Sequence, residues 1–94
     1  MTPEEEKILD TFVQDGRLVR MPARHGKKLV ILRWLVERFD PGVLYPERQV
    51  NQMLQQVDPD YAALRRYLVD AGLMQRDQGV YWRTALRQDY GIES

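Results

Sequence analysis

The stretch that most constrains this chain is a corner at which two helices meet with almost no residues between them. From Pro46 to Val57, the apolar residues Val50, Met53, Leu54 and Val57 recur at i, i+3, i+4 and i+7. Glu47, Arg48, Gln49, Asn51, Gln52, Gln55 and Gln56 fall outside that stripe, the pattern of an amphipathic helix. Asp58-Pro59-Asp60 follows at once, with Asp58 placed to cap a second helix and Pro59 suited to its first position, where no N–H is needed. That second helix, Asp60 to Ala71, is expected to bury Tyr61, Leu64, Leu68 and Ala71. Gly72 ends it, and Leu73 folds back on the last turn as in a Schellman stop.

Two β-capable runs come next, Met74-Gln75-Arg76 and Val80-Tyr81-Trp82-Arg83. Asp77-Gln78-Gly79 between them fits a three-residue turn with glycine at the left-handed position. Helix, tight turn, helix, hairpin is the order of a winged helix-turn-helix. Upstream, Lys27 to Phe39 is apolar over most of its circumference and reads as a central, largely buried helix that Asp40-Pro41-Gly42 terminates. Val43-Leu44-Tyr45 is a short extended piece.

At the N-terminus, Thr2-Pro3-Glu4-Glu5 is a capping-box arrangement, and Ile8, Leu9, Phe12 and Val13 share a face, so a helix is expected up to Gly16. Arg17 to Met21 reads as a short strand and Pro22 to Gly26 as a basic connector. The 94 residues leave no room for a second core. The expectation is one α/β domain over 1–94: a winged helix-turn-helix with a three-helix core and a C-terminal β-hairpin wing, plus an extra N-terminal helix and short strand. It divides into an N-terminal helix (1–16), a core (17–83) and a tail (84–94).

The residue inventory excludes several classes of chemistry. There is no cysteine, so no disulfide framework, thiolate zinc site or cysteine nucleophile. His25 is the single histidine and Ser94 the single serine, which leaves no workable nucleophile triad. A zinc site would rest on His25 alone, inside a basic connector that repels cations. The glycines are dispersed among turns and stops, so no phosphate loop is formed. Neither an enzyme, a metal nor a cofactor is expected. The longest apolar run, Leu29 to Leu32, cannot span a membrane, and the acidic start does not resemble a signal peptide, so the expected location is cytoplasmic.

Lys+Arg and Asp+Glu both number 14, so no global field draws the chain to nucleic acid. The charge is unevenly placed, however. Glu4, Glu5, Glu6, Asp10 and Asp15 crowd the start, whereas Arg17, Arg20, Arg24, Lys27 and Lys28 follow without an intervening acid.

The run KKLVILRWLVERFDPGVLYPERQVNQML followed by DYAALRRYLVDAGLMQRDQGVYWR resembles family 2087 of the domains of unknown function, a bacterial winged-helix-type family. The resemblance covers Arg17 to Arg83 and is carried by Ile31 to Leu35, Tyr45 to Asn51, and Asp60-Tyr61 with Leu64-Arg65-Arg66. Pro46 and Gln49 depart from the Thr or Ser and the Glu often found there. Members of the family also occur joined to ArsR-type helix-turn-helix regulators, which implies transcriptional control. The resemblance supplies no catalytic residues.

Candidate contacts therefore come from the residues themselves. Arg65 and Arg66 lie off the Leu64/Leu68 face and could reach phosphates or guanine edges. Arg76 and Arg83 are expected to flank the wing tip, and Lys27 and Lys28 to add phosphate contacts. Against this, Asp58, Asp60 and Asp70 make the stretch acidic, and the plainer reading of Arg65 and Arg66 is a solvated face paired to carboxylates. The alternative is a module that binds protein or dimerises through Tyr67, Tyr81, Trp82, Leu86 and Tyr90. The expected partners are DNA and a second copy of the chain or another protein.

Overall fold

The computed structural model describes residues 1–85; Leu86 and Tyr90 lie outside the described residues. Helix α1 (Pro3–Phe12) starts on the capping box: the Glu5 N–H donates to Thr2 Oγ1 (3.1 Å) and the Thr2 N–H to Glu5 Oε1 (2.9 Å). It ends at Phe12 rather than at Gly16. Val13–Gln14 (β1) and Arg17–Leu18 (β2) instead pair antiparallel, Val13 opposite Leu18 and Gln14 opposite Arg17. Asp15 (φ 54°) and Gly16 (φ 76°) are the two left-handed residues between them. An Asp-Gly pair serves a helix stop and a two-residue hairpin equally well, and β-branched Val13 favours the extended outcome. The strand expected over Arg17 to Met21 is thus only β2, tied inward by its Leu18 N–H to Val57 O (2.9 Å).

The central helix α2 (His25–Val36) takes Gly26 into its first turn and stops before Phe39, which is reached by a further turn. Phe39 is fully buried and meets Tyr45 edge to face, ring centres 5.1 Å apart. The Tyr45 hydroxyl accepts from the Asp40 N–H (2.7 Å), which fixes the loop between them. Tyr45–Pro46 (β3) leads directly into α3 (Glu47–Gln55), and α4 (Tyr61–Asp70) follows across the corner. The cap of α4 is Asp60, whose Oδ1 accepts from the Ala63 N–H (3.3 Å). Asp58, expected to be the cap, braces the corner from outside by accepting from the Asp60 N–H (3.1 Å). The α4 stop has the Schellman pattern, Leu73 N–H to Leu68 O and Gly72 N–H to Val69 O, both 2.9 Å, with Gly72 at φ +77°.

The hairpin is β4 (Met74–Asp77) and β5 (Val80–Arg83) around Gln78 (φ 50°) and Gly79 (φ 79°), a two-residue turn where a three-residue one was expected. Asp77 is recruited into the ladder opposite Val80. β5 is the middle strand of a three-stranded sheet in the order β3-β5-β4, with Tyr45 opposite Tyr81. The Glu47 N–H donates to Gly79 O (2.9 Å), so the start of α3 is fastened to the hairpin tip.

The described residues therefore form a mixed α/β domain of four helices and two small antiparallel sheets. Leu32, Leu35 and Val36 of α2, Val50 and Leu54 of α3, Leu64 and Leu68 of α4, and Met74 and Tyr81 of the sheet bury one another in a single core. Burying a side chain of this kind is worth roughly 1.5–3 kcal/mol, so this cluster dominates the energetics. α1 packs against α2 outside it, with Glu5 Oε2 3.7 Å from Arg33 Nη1. Among the described residues no helix is long and apolar enough to cross a membrane.

Candidate functional site

With Leu64 and Leu68 of α4 turned into the core, Arg65, Arg66 and Val69 are left beside the hairpin. The register that sets Arg76 opposite Tyr81 brings β4 alongside them. Arg65, Arg66 and Arg76 consequently line one cleft of about 240 Å³ between α4 and the sheet, together with Ala62, Val69, Asp70 and Tyr81. Guanidinium groups from two elements along one cleft have the chemistry to take up an anion, because planar forks can bind phosphate oxygens in pairs, although Asp70 lines the same cleft.

The three arginines are not equivalent. Arg66 and Arg76 are exposed, and the Arg66 guanidinium carbon lies 5.5 Å from the Tyr67 ring centre. Arg65 is held: its Nη1 donates to Asn51 Oδ1 and stands 3.7 Å from Glu47 Oε2, both on α3. Glu47 and Asn51, which their helical pattern places simply outside the apolar stripe, are therefore parts of this site. Their spacing of i, i+4 on one helix is the signal that could have found them.

Lys28 joins the edge of the same surface. Its Nζ lies 4.7 Å from the Tyr67 ring centre, so Tyr67 sits between a cation from α2 and one from α4. Asp70 separates this edge from the arginine cleft and lines depressions on both sides. Lys27 does not join them; it lies with Glu4, Glu5 and Arg24 in an open depression between α1 and α2.

Arg83 overturns its expected position. It is paired with Met74 at the open end of the hairpin, as far from the Gln78-Gly79 tip as the ladder allows. Its Nη1 donates to Phe39 O (3.1 Å) and its Nη2 to Glu37 Oε2 (3.2 Å), with only 14% of the side chain exposed. It clamps β5 to the end of α2. Tyr81, an expected interface residue, is buried, and its hydroxyl donates to Glu47 Oε1 (3.1 Å). Trp82 is half-buried on the outer sheet face, donates from Nε1 to Gln75 Oε1 (3.1 Å), and lines an apolar cleft of about 640 Å³ with Pro41, Leu44 and Ala85. Among the described residues no group of His, Cys, Asp and Glu is arranged to hold a metal ion.

No curated protein and no solved structure matches the chain. A family described as "Uncharacterized protein conserved in bacteria (DUF2087)" matches residues 17–83, from β2 to the last residue of β5, and the chain belongs to that family.

Proposed function

We propose that this chain is a winged helix-turn-helix protein that binds DNA in bacterial transcriptional regulation, without enzymatic activity. The element order supports the fold reading: helix α2, strand β3, the α3–α4 corner, then a hairpin whose second strand pairs with β3. In that reading α4 lies in the major groove and the hairpin is the wing that braces the adjacent backbone. The relationship to ArsR-type regulators belongs to the same reading.

One observation carries it: arginines from the groove helix and from the wing, Arg65, Arg66 and Arg76, line a single cleft. Arg66 and Arg76 supply the phosphate or base-edge contacts, Lys28 extends them, and Arg83 is removed from the contact set by its clamp on Phe39 and Glu37. A second copy supplies the second half-site, since so few phosphates bound by one copy give weak affinity.

Fluorescence anisotropy of labelled mixed-sequence duplexes tests this. Binding is expected in the non-specific range of roughly 10⁻⁴ to 10⁻⁶ M, weakening as salt is raised. Arg66→Ala and Arg76→Ala should each lower the slope of log K against log salt by about 0.9. Failure to bind at low salt would sink the proposal.

A second reading, a dimerisation or protein-interaction module that binds no DNA, is favoured by the outer sheet face. There Leu44 is 66% exposed and shares the apolar cleft with Trp82. A second copy of the chain is the occupant this reading commits to, and light scattering of wild type against Leu44→Asp and Trp82→Ala tests it. A dimer that these changes dissociate, with no affinity for duplex, would establish the second reading over the first.

A further inference from the structure

The cleft contains a contact that the DNA reading does not require. Among the described residues, Arg65 is the cleft arginine with an acidic neighbour at ion-pair distance, and that neighbour, Glu47, is itself anchored twice: by its backbone N–H to Gly79 O (2.9 Å) and by Oε1 to the Tyr81 hydroxyl (3.1 Å). Glu47 is therefore fixed where α3 meets the hairpin tip, and Arg65 is drawn to it. The 3.7 Å separation exceeds a direct hydrogen bond, and the side chains are 22% (Arg65) and 43% (Glu47) exposed. A pair of this kind is weak, because water screens both charges.

Among the described residues, the polar contacts of the guanidinium, to Asn51 and to Glu47, both use Nη1. An incoming anion would thus meet a fork whose charge is offset by a carboxylate but whose geometry is set by the neutral Asn51. Resting on the DNA reading above, we propose that Glu47 is an internal counter-ion for Arg65 that a DNA phosphate displaces, so that Glu47 sets the affinity and salt dependence of the cleft. On binding, the phosphate replaces the carboxylate as the partner of Arg65. Asn51 retains its hydrogen bond, and the Glu47 carboxylate, still bonded to Tyr81, turns its other oxygen to water. The exchange is close to neutral in charge, so Arg65 adds less to affinity than Arg66 or Arg76 does.

Glu47→Gln keeps the shape and an acceptor for Tyr81 while removing the charge. In the anisotropy assay on the full chain it should tighten duplex binding about threefold to fivefold at low salt, the equivalent of one exposed ion pair no longer broken. The salt slope should steepen by about 0.9, as for one more uncompensated phosphate contact. Arg65→Met and the double change close a mutant cycle in which the gain should vanish. Asp70→Asn, which removes an acid of the same cleft that does not pair with Arg65, separates this coupling from general repulsion, since its gain should survive in the Arg65→Met background. If Arg65→Met does not fold, the slope change of Glu47→Gln alone decides. A Glu47→Gln gain that persists without Arg65, or no gain at all while duplex is bound, overturns the counter-ion role and leaves the DNA reading intact. No duplex binding by any of the proteins overturns both.

Discussion

Arg83→Met separates a structural arginine from a contacting one. Methionine keeps most of the aliphatic stem in place but strips both guanidinium bonds, to Phe39 O (3.1 Å) and to Glu37 Oε2 (3.2 Å). The Glu37 bond contributes little, because that carboxylate is 69% exposed and the ion pair is screened. The carbonyl bond is worth more: it is part-buried and charge-assisted, a class worth about 1.5–3 kcal/mol, and its loss orphans the Phe39 carbonyl next to the core. The combined cost is about 2 kcal/mol. For a domain of this length that lowers the melting temperature by on the order of 10 °C while leaving a folded protein, since natural domains hold roughly 5–15 kcal/mol. Thermal denaturation followed by circular dichroism reads the first quantity and duplex anisotropy at two salt concentrations the second. The reasoning requires a large fall in melting temperature with an unchanged salt slope. An unchanged melting temperature, or a slope reduced by about 0.9, would refute the assignment of Arg83 as a clamp.

Two glycine substitutions should have opposite signs although neither new Cβ meets an atom within 4 Å. Gly72→Ala forces alanine to φ +77° and should cost about 1–2 kcal/mol, whereas Gly26→Ala, in the first turn of α2, should stabilise by about 0.5 kcal/mol; thermal melts compare them directly. The Glu5 carboxylate is held below its ordinary value, first by the Thr2 backbone N–H and against the opposing effect of desolvation. Because its folded value is depressed, the capping box contributes stability fully above the ordinary carboxylate range, and this is lost as pH falls through the folded value. NMR titration should show the Glu5 amide shift moving at a midpoint below the ordinary carboxylate value, and a midpoint at or above it would refute the box as the cause.

What could be read from the chain alone follows the range of the interactions involved. The α3–α4 corner, the Schellman stop at Gly72 and the C-terminal hairpin are encoded by residues within a few positions of one another and occur where the pattern puts them, although the turn is Gln78-Gly79 rather than three residues and the cap of α4 is Asp60 rather than Asp58. Asp15-Gly16 satisfies two local structures, a helix stop and a two-residue turn; β-branched Val13 favours the extended one, and the Leu18 N–H bond to Val57 O, far along the chain, ties the second strand in place. Of the extended piece expected over Val43-Leu44-Tyr45 only Tyr45 is in a strand, which runs on into Pro46, and the pairing of Tyr45 with Tyr81 has no local signal to specify it. The arginines depend on long-range contacts in the same way. Arg65 reads either as a DNA contact or as a cation paired to some carboxylate, and only the approach of α3 identifies Glu47 as the acid beside it; Arg83 reads as a wing-tip residue until β5 meets the end of α2.

The acids of the corner bear on how such a surface could be approached. Asp58 and Asp60 weaken the DNA reading when counted as charges, yet both are occupied: Asp60 accepts from the Ala63 N–H and Asp58 from the Asp60 N–H. Their positions at the start of α4 favour the helix dipole and oppose any phosphate placed at that end. Arg65 and Arg66 come in the following turn, and Arg76 faces them from β4 across the cleft. On the proposed reading the duplex backbone must therefore run along the side of α4 toward the wing and avoid its N-terminus, so contributions to binding should follow accessibility: Arg66 and Arg76 most, Arg65 limited by Glu47, Arg83 none. Exchanging Asp60 for Asn, which preserves the cap, should then change duplex affinity less than Arg66→Ala does, because the phosphate path passes it by.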